Sequence, residues 1–215
     1  MTVPPLLPKQ MTHLKHHRRW AALALSLSLL TPWVAQAQNA PTPASASTPK
    51  VRISTSMGDI EAELYADKAP KTVTNFVQYV NDKHYEGTIF HRVIPGFMLQ
   101  GGGYDGQYRE KKTRAPVAHE GRQALAAGLK NTTGTLAMAR TNDPQSATAQ
   151  FFINVVDNAF LDPSFQSFGY TVFGKVTSGM DVVQKIRNTP TGAGGPFPTD
   201  VPRTPVVIQS ITLLK

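Results

Sequence analysis

The sequence predicts a mainly β domain: a closed antiparallel barrel of eight strands capped by two α-helices. Three observations carry this expectation. Short segments that alternate apolar and polar residues recur after residue 50, the period of half-buried strands. Only two segments show the 3.6-residue period of an amphipathic helix. Helices and strands do not alternate regularly, which disfavours a doubly wound parallel sheet. Closing the sheet on itself removes its edges, and a barrel of this size has an interior just filled by side chains. Function then belongs on the outer wall.

The composition bounds the rest. The chain has 215 residues, 16 Gly, 17 Pro and no Cys. That length suits one domain, or at most two small ones. Without cysteine there is no disulfide, thiolate zinc site, iron–sulfur cluster or Cys nucleophile. A hydrophobic fraction of 40% argues against wholesale disorder. The net charge of +8 misleads, because Lys9, Lys15, Arg18 and Arg19 precede residue 38 with no acid beside them. The remainder holds 18 basic against 14 acidic residues, sparser than the stripe of a nucleic-acid binder.

The elements follow in order. Residues 13–19 are basic, residues 20–34 are apolar, and Ala35-Gln36-Ala37 is an A-x-A cleavage pattern, so residues 1–37 read as a secretory signal. The apolar run, about 15 residues, is short for a membrane span of about 20. Cleavage after Ala37 leaves no stable membrane anchor, and Met11 is an alternative start. Residues 38–49, rich in Pro, Ala, Ser and Thr, have too little apolar area to offset ordering entropy and read as a disordered tether. Residues 50–215 form the folded domain.

Within it, residues 51–56 and 59–65 alternate around the turn Met57-Gly58, giving a hairpin. Pro70 starts a helix whose Val73, Phe76, Val77 and Val80 share one face, suited to plugging an open barrel end. Strands are expected at 88–94 and 97–100, split by Pro95-Gly96. Residues 101–133 read as a long excursion, entered through Gly101-Gly102-Gly103 as a flexible strand exit. Strand signals return at 134–139, 150–156 and 171–176. A second helix over Met180–Arg187 turns Val182, Val183 and Ile186 inward. Residues 189–204 hold four prolines and read as loop, and 206–214 close the sheet.

No G-x-S-x-G, H-E-x-x-H, P-loop or G-x-G-x-x-G signature is present. After the leader only His84, His91 and His119 remain, without metal-ligand spacing. Neither a cofactor nor a metal is expected. Two segments are odd for a plain structural barrel. In Phe90-His91-Arg92-Val93-Ile94-Pro95-Gly96-Phe97-Met98-Leu99-Gln100-Gly101-Gly102 a guanidinium sits mid-strand among apolar residues, where desolvation is costly unless it snorkels. In Gln150-Phe151-Phe152-Ile153-Asn154, period two puts Gln150, Phe152 and Asn154 on one face.

These two segments, with Gly134-Thr135-Leu136-Ala137-Met138-Ala139, Phe160-Leu161-Asp162 and Val172-Phe173-Gly174-Lys175-Val176, stand in the order and spacing of the cyclophilin family. Over residues 50–215 the chain resembles bacterial periplasmic cyclophilin-type peptidyl-prolyl cis–trans isomerases. The resemblance implies an eight-stranded barrel with two helical caps. It implies isomerase (rotamase) activity on X–Pro bonds of exported proteins, as a folding chaperone, without covalent intermediate or metal. By the same resemblance Arg92 and Gln100 are catalytic, the latter holding substrate backbone. Phe97, Met98, Phe152 and Leu161 form the proline pocket, with Ala139, Arg140, Gln150, Phe160 and Tyr170 around the bound peptide.

Three positions depart from the cytosolic eukaryotic pattern. Arg140 replaces asparagine, Phe160 replaces tryptophan and Tyr170 replaces histidine. Losing the indole N–H implies weak cyclosporin binding. The implied partners are proline-containing polypeptides; no nucleic acid is expected, and nothing in the sequence demands more than a monomer. Two other readings stay open at this point: a barrel that holds proline peptides without useful catalysis, and a nucleic-acid or anionic-surface binder acting through Arg109, Lys111, Lys112 and Arg114.

Overall fold

The computed structural model describes residues 48–214. The leader over 1–37 lies outside the described residues, as does nearly all of the tether over 38–49. Pro49, the tether's last residue, is already paired, its carbonyl accepting the Leu64 amide at 2.8 Å.

The chain opens with the hairpin β1 (Lys50–Thr55) and β2 (Gly58–Leu64), followed by helix α1 (Pro70–Asn81). Then come β3 (Thr88–Ile94), β4 (Met98–Asp105), helix α2 (Gly121–Ala126), β5 (Thr135–Met138) and β6 (Phe151–Asn154). Last are β7 (Val172–Ser178), helix α3 (Met180–Arg187), β8 (Thr191–Gly194), β9 (Phe197–Pro202) and β10 (Val207–Leu214). Eight strands close a barrel in the order β1-β10-β3-β4-β6-β5-β7-β2, and the assigned ladders run antiparallel. The predicted closed barrel is therefore the observed one.

Alternation sorts the side chains. Phe151 and Ile153 of β6, Leu136 and Met138 of β5 and Phe173 of β7 enter the interior. Their neighbours Phe152, Ala137 and Val172 face outward and form a second apolar cluster with Met98 and Leu161. One sheet thus separates two hydrophobic populations. Helix α1 lays Val73, Phe76, Tyr79 and Val80 on the core. Phe76 meets the rings of Tyr85, Phe151 and Phe173 at centroid distances of 5.1, 5.5 and 5.1 Å. Proline at the helix start needs no amide partner. The buried Glu120 carboxylate accepts the next two amides, Lys71 at 3.1 Å and Thr72 at 2.8 Å, and the helix dipole favours its charge there. Helix α3 buries Val182, Val183 and Ile186 as its period predicts.

Three local expectations are corrected. A third helix, α2, lies within the presumed excursion. Six residues with only Gly121 and Ala124 buried span too little to display an apolar period. Residues 189–204 are not plain loop but hold the two-stranded sheet β8–β9. Its prolines and glycines argue against strand, and docking makes the pairing hold. Phe197 packs on His91 at 5.2 Å and on Tyr104 at 5.1 Å, while Val201 is buried. Finally, Gly101, Gly102 and Gly103 are no flexible exit, for they continue β4 through a crowded part of the wall.

The buried His91 gives this docking a pH signature. Burial, with the neighbouring Arg92 charge adding to it, lowers the His91 pKa from 6.5 to about 4. The native state therefore refuses a proton that the unfolded chain accepts. Stability should be full above about pH 6.5, decline between about 6.5 and 4, and level off below. His91→Phe is expected to flatten that part of a Tm-against-pH curve. An unchanged slope would show that another group carries it.

Candidate active site

The site is built on the outer faces of β3, β4, β5 and β6 and on the segment 159–170. Strict alternation from the inward Phe90 would turn Arg92 into the core. The structure avoids this with a bulge. Phe90 pairs with Gly101 and Arg92 with Gln100, so His91 is one residue extra against two consecutive partners. Both Phe90 and Val93 reach the core. His91 goes under the β8–β9 sheet, and Arg92 emerges on the outer wall with its side chain 43% exposed. Bulges beside functional sites commonly re-aim a side chain in this way.

Arg92, Phe97, Met98, Gln100 and Phe152 line a groove of about 160 Å³, closed by Ala139, Arg140, Leu161 and Tyr170. Nine of the eleven site residues named from the sequence meet here. Gln150 does not line the groove, but its Oε1 accepts a 3.0 Å hydrogen bond from Gln100 Nε2. It lines an adjoining hollow of about 300 Å³ that shares Gln100, Ala139 and Arg140 with the groove. Phe160 is 71% exposed and stacks on Phe97 at 5.6 Å, forming an outer flank.

Each wall has its own support. The turn 94–97 is closed by the Phe97 amide donating to the Ile94 carbonyl at 2.9 Å. The Phe97 carbonyl accepts the Val155 amide at 3.1 Å and Asn158 Nδ2 at 3.0 Å. Asn158 in turn bonds Asn154, which is fully buried and also donates to Asn131 and Thr135. Asn154 thus shares the outward parity of Phe152 yet serves as a strut. The Phe152 ring meets Tyr170 edge-on at 5.5 Å. Arg140 lies over Tyr170 at 4.7 Å and donates to the Gly169 carbonyl at 3.0 Å and the Thr141 carbonyl at 2.8 Å, which fixes it along one rim.

Two guanidiniums, Arg92 and Arg140, therefore flank an apolar floor. Phe97 lies 6.0 Å from the Arg92 guanidinium carbon, within cation–π range. Among the described residues one carboxylate, Asp200 on β9, comes within salt-bridge distance of Arg92, at 3.9 Å. The sequence reading missed Asp200, since an acid inside a Pro-rich stretch carries no signal of its own. It also missed Glu110, Thr113, Ser146 and Thr148 of the adjoining hollow, which are scattered along loops without period. A larger hollow of about 410 Å³ between α1 and residues 115–117 lacks any comparable convergence of charge and aromatic walls.

The basic run is mostly occupied. Arg109 pairs with Asp105 at 2.8 Å, Arg114 Nε donates to Asp82 at 2.8 Å, and Lys111 donates to the His84 carbonyl. Three of the four cations raised as an anionic-surface binder thus tie the 105–114 segment to the barrel.

Fold and site together define a filled β-barrel that works on its outer wall, where a cation meets an apolar groove. The family model for cyclophilin type peptidyl-prolyl cis–trans isomerases matches residues 50–213. A peptidyl-prolyl cis–trans isomerase of Acinetobacter baylyi is 54% identical over 163 residues, covering 76% of this chain and 84% of that one. Isomerase B of Escherichia coli is 52% identical over 166 residues, covering 76% and 98%. Among solved structures, a Cryptosporidium parvum cyclophilin type isomerase is 27% identical with a TM-score of 0.61, covering 78% of this chain and 98% of that one. A second structure of it was determined in the presence of the dipeptide Ala-Pro, with a TM-score of 0.60. The chain belongs to the cyclophilin-type peptidyl-prolyl cis–trans isomerases, and it is an isomerase enzyme.

Proposed function

We propose that this isomerase is exported, loses its signal after Ala37, and works in the periplasm as a monomer that accelerates X–Pro rotation in exported proteins as they fold. The basic–apolar–A-x-A order of residues 1–37 supports export. Recovery of the periplasmic protein with its N-terminus at Gln38 tests it, whereas a retained leader defeats it.

The catalytic reading rests on one observation: Arg92 at the rim of a groove floored by Phe97, Met98, Phe152 and Leu161. An X–Pro bond turns in roughly tens to hundreds of seconds because amide resonance raises a barrier of about 18–20 kcal/mol. Lowering it needs neither a nucleophile nor a proton transfer. As the bond twists, the prolyl nitrogen becomes pyramidal and regains a lone pair. A guanidinium donates hydrogen bonds and accepts none. Arg92 donates to that lone pair, an interaction absent in the planar ground state and therefore purely catalytic. The apolar walls grip the ring and reduce screening around the cation. Gln100, held by Gln150, takes the substrate backbone. No metal enters this mechanism.

The substrates are proline-containing polypeptides, in keeping with the Ala-Pro dipeptide used with the Cryptosporidium parvum relative. Phe160, without an indole N–H, supports weak cyclosporin binding, which titration checks. Exchange NMR on a proline tetrapeptide is the direct test of turnover. Faster cis–trans exchange supports catalysis, and line broadening without faster exchange would mean holding alone.

A further inference from the structure

Arg92 has little to hold it. Its side chain is 43% exposed and, among the described residues, makes no side-chain hydrogen bond; it has the Phe97 ring and the Asp200 carboxylate. A long side chain with so few partners would spread over several rotamers, and a donor that must meet a transient lone pair loses rate for every wrong one.

Asp200 stands where an ordinary strand would not put it. Gly192 pairs with Val201 and Gly194 with Phe197, so Pro198, Thr199 and Asp200 stand opposite the single Ala193. Asp200 itself has φ of +66°, a left-handed conformation that non-glycine residues seldom adopt. Both neighbours toward the chain end, Val201 and Pro202, are buried, and Phe197 is anchored on His91. The β8–β9 sheet is thus fixed to the wall beside β3, and its bulge aims one carboxylate at Arg92, with Oδ2 3.9 Å from Nε.

We propose that Asp200 is a positioning residue for the reaction: it draws the Nε edge of the Arg92 guanidinium toward β9 and leaves the two terminal nitrogens facing the groove. The proposal rests on Arg92 as the catalytic donor. At 3.9 Å the carboxylate steers without consuming a hydrogen bond, so no donor is withdrawn from the substrate.

The test uses the full chain and a proline tetrapeptide, with kcat and KM measured separately. Asp200→Asn keeps size and tolerates φ above zero, while Asp200→Gly relieves the backbone and also removes the charge. Both should lower kcat about three- to fivefold with KM unchanged, although their Tm values differ. The wild-type kcat should fall toward that of Asp200→Asn as salt screens the pair, and the variant should be insensitive to salt. In an Arg92→Ala background neither substitution should have a further effect. Unchanged kcat in both variants overturns the proposal, as do losses that follow Tm or persist without Arg92. If Arg92→Ala alone turns over normally, the catalytic assignment of Arg92 fails, a result distinct from failure of the Asp200 role.

Discussion

Arg92→Ala is expected to lower kcat/KM on a proline tetrapeptide by about 10²–10³-fold, the usual cost of deleting one donor aimed at a transition state. The fold should survive. Arg92 is half-exposed on the outer wall, and its ion pair with Asp200 is of the surface kind, worth about 0–1 kcal/mol. Loss of rate with an unchanged Tm would separate chemistry from stability. Arg92→Lys should also be poor, because a compact ammonium cannot copy the planar fork of donors. Peptide affinity should change little, since Phe97, Met98, Phe152 and Leu161 remain. Normal turnover in Arg92→Ala would remove the assigned mechanism.

Gly102→Ala is expected to be among the most destabilising single-methyl changes in the chain. Gly102 has φ of +84°, and an added Cβ would come 2.8 Å from Tyr85 Cε1 and 3.1 Å from Phe151 Cε1. Neither ring has room to retreat. Tyr85 is buried with its hydroxyl bonded to the Ala149 carbonyl at 2.9 Å, and Phe151 is fully buried against Phe76 and Phe90. The left-handed backbone costs about 1–2 kcal/mol and overpacking about 1–3 kcal/mol, so a loss of about 3 kcal/mol is expected. For a domain of this size that lowers Tm by about 6–12 °C, readable by calorimetry. A shift below about 2 °C would mean that the wall yields more easily than these contacts imply.

Much of the architecture was legible because alternation is a strong signal wherever one face is buried. Phe151 and Ile153 against Phe152 announced a core strand from five consecutive residues, whereas the place of Phe152 in a groove came from the resemblance alone. What was not legible has physical causes. The direction of Arg92 depends on the His91 bulge, which breaks the parity that sequence reading relies on. The β8–β9 sheet is held by docking of Phe197 and Val201, not by its own propensities. Gly101, Gly102 and Gly103 look flexible in one dimension and prove crowded in three. The convergence of Arg92, Phe97, Gln100, Phe152 and Tyr170 joins strands far apart in sequence, and family resemblance, not spacing, brought them together beforehand.

If the isomerase acts on folding chains, as proposed, any free strand border would be a hazard, recruiting them as an extra strand and trapping them. Because β1 pairs with both β2 and β10, the main sheet offers no such border. The β8–β9 pair does have borders, but β9 carries Pro198 and Pro202, which have no amide to offer. On that reading, a bound chain is left the groove of Arg92, Phe97, Met98 and Phe152, and no strand of the barrel to extend.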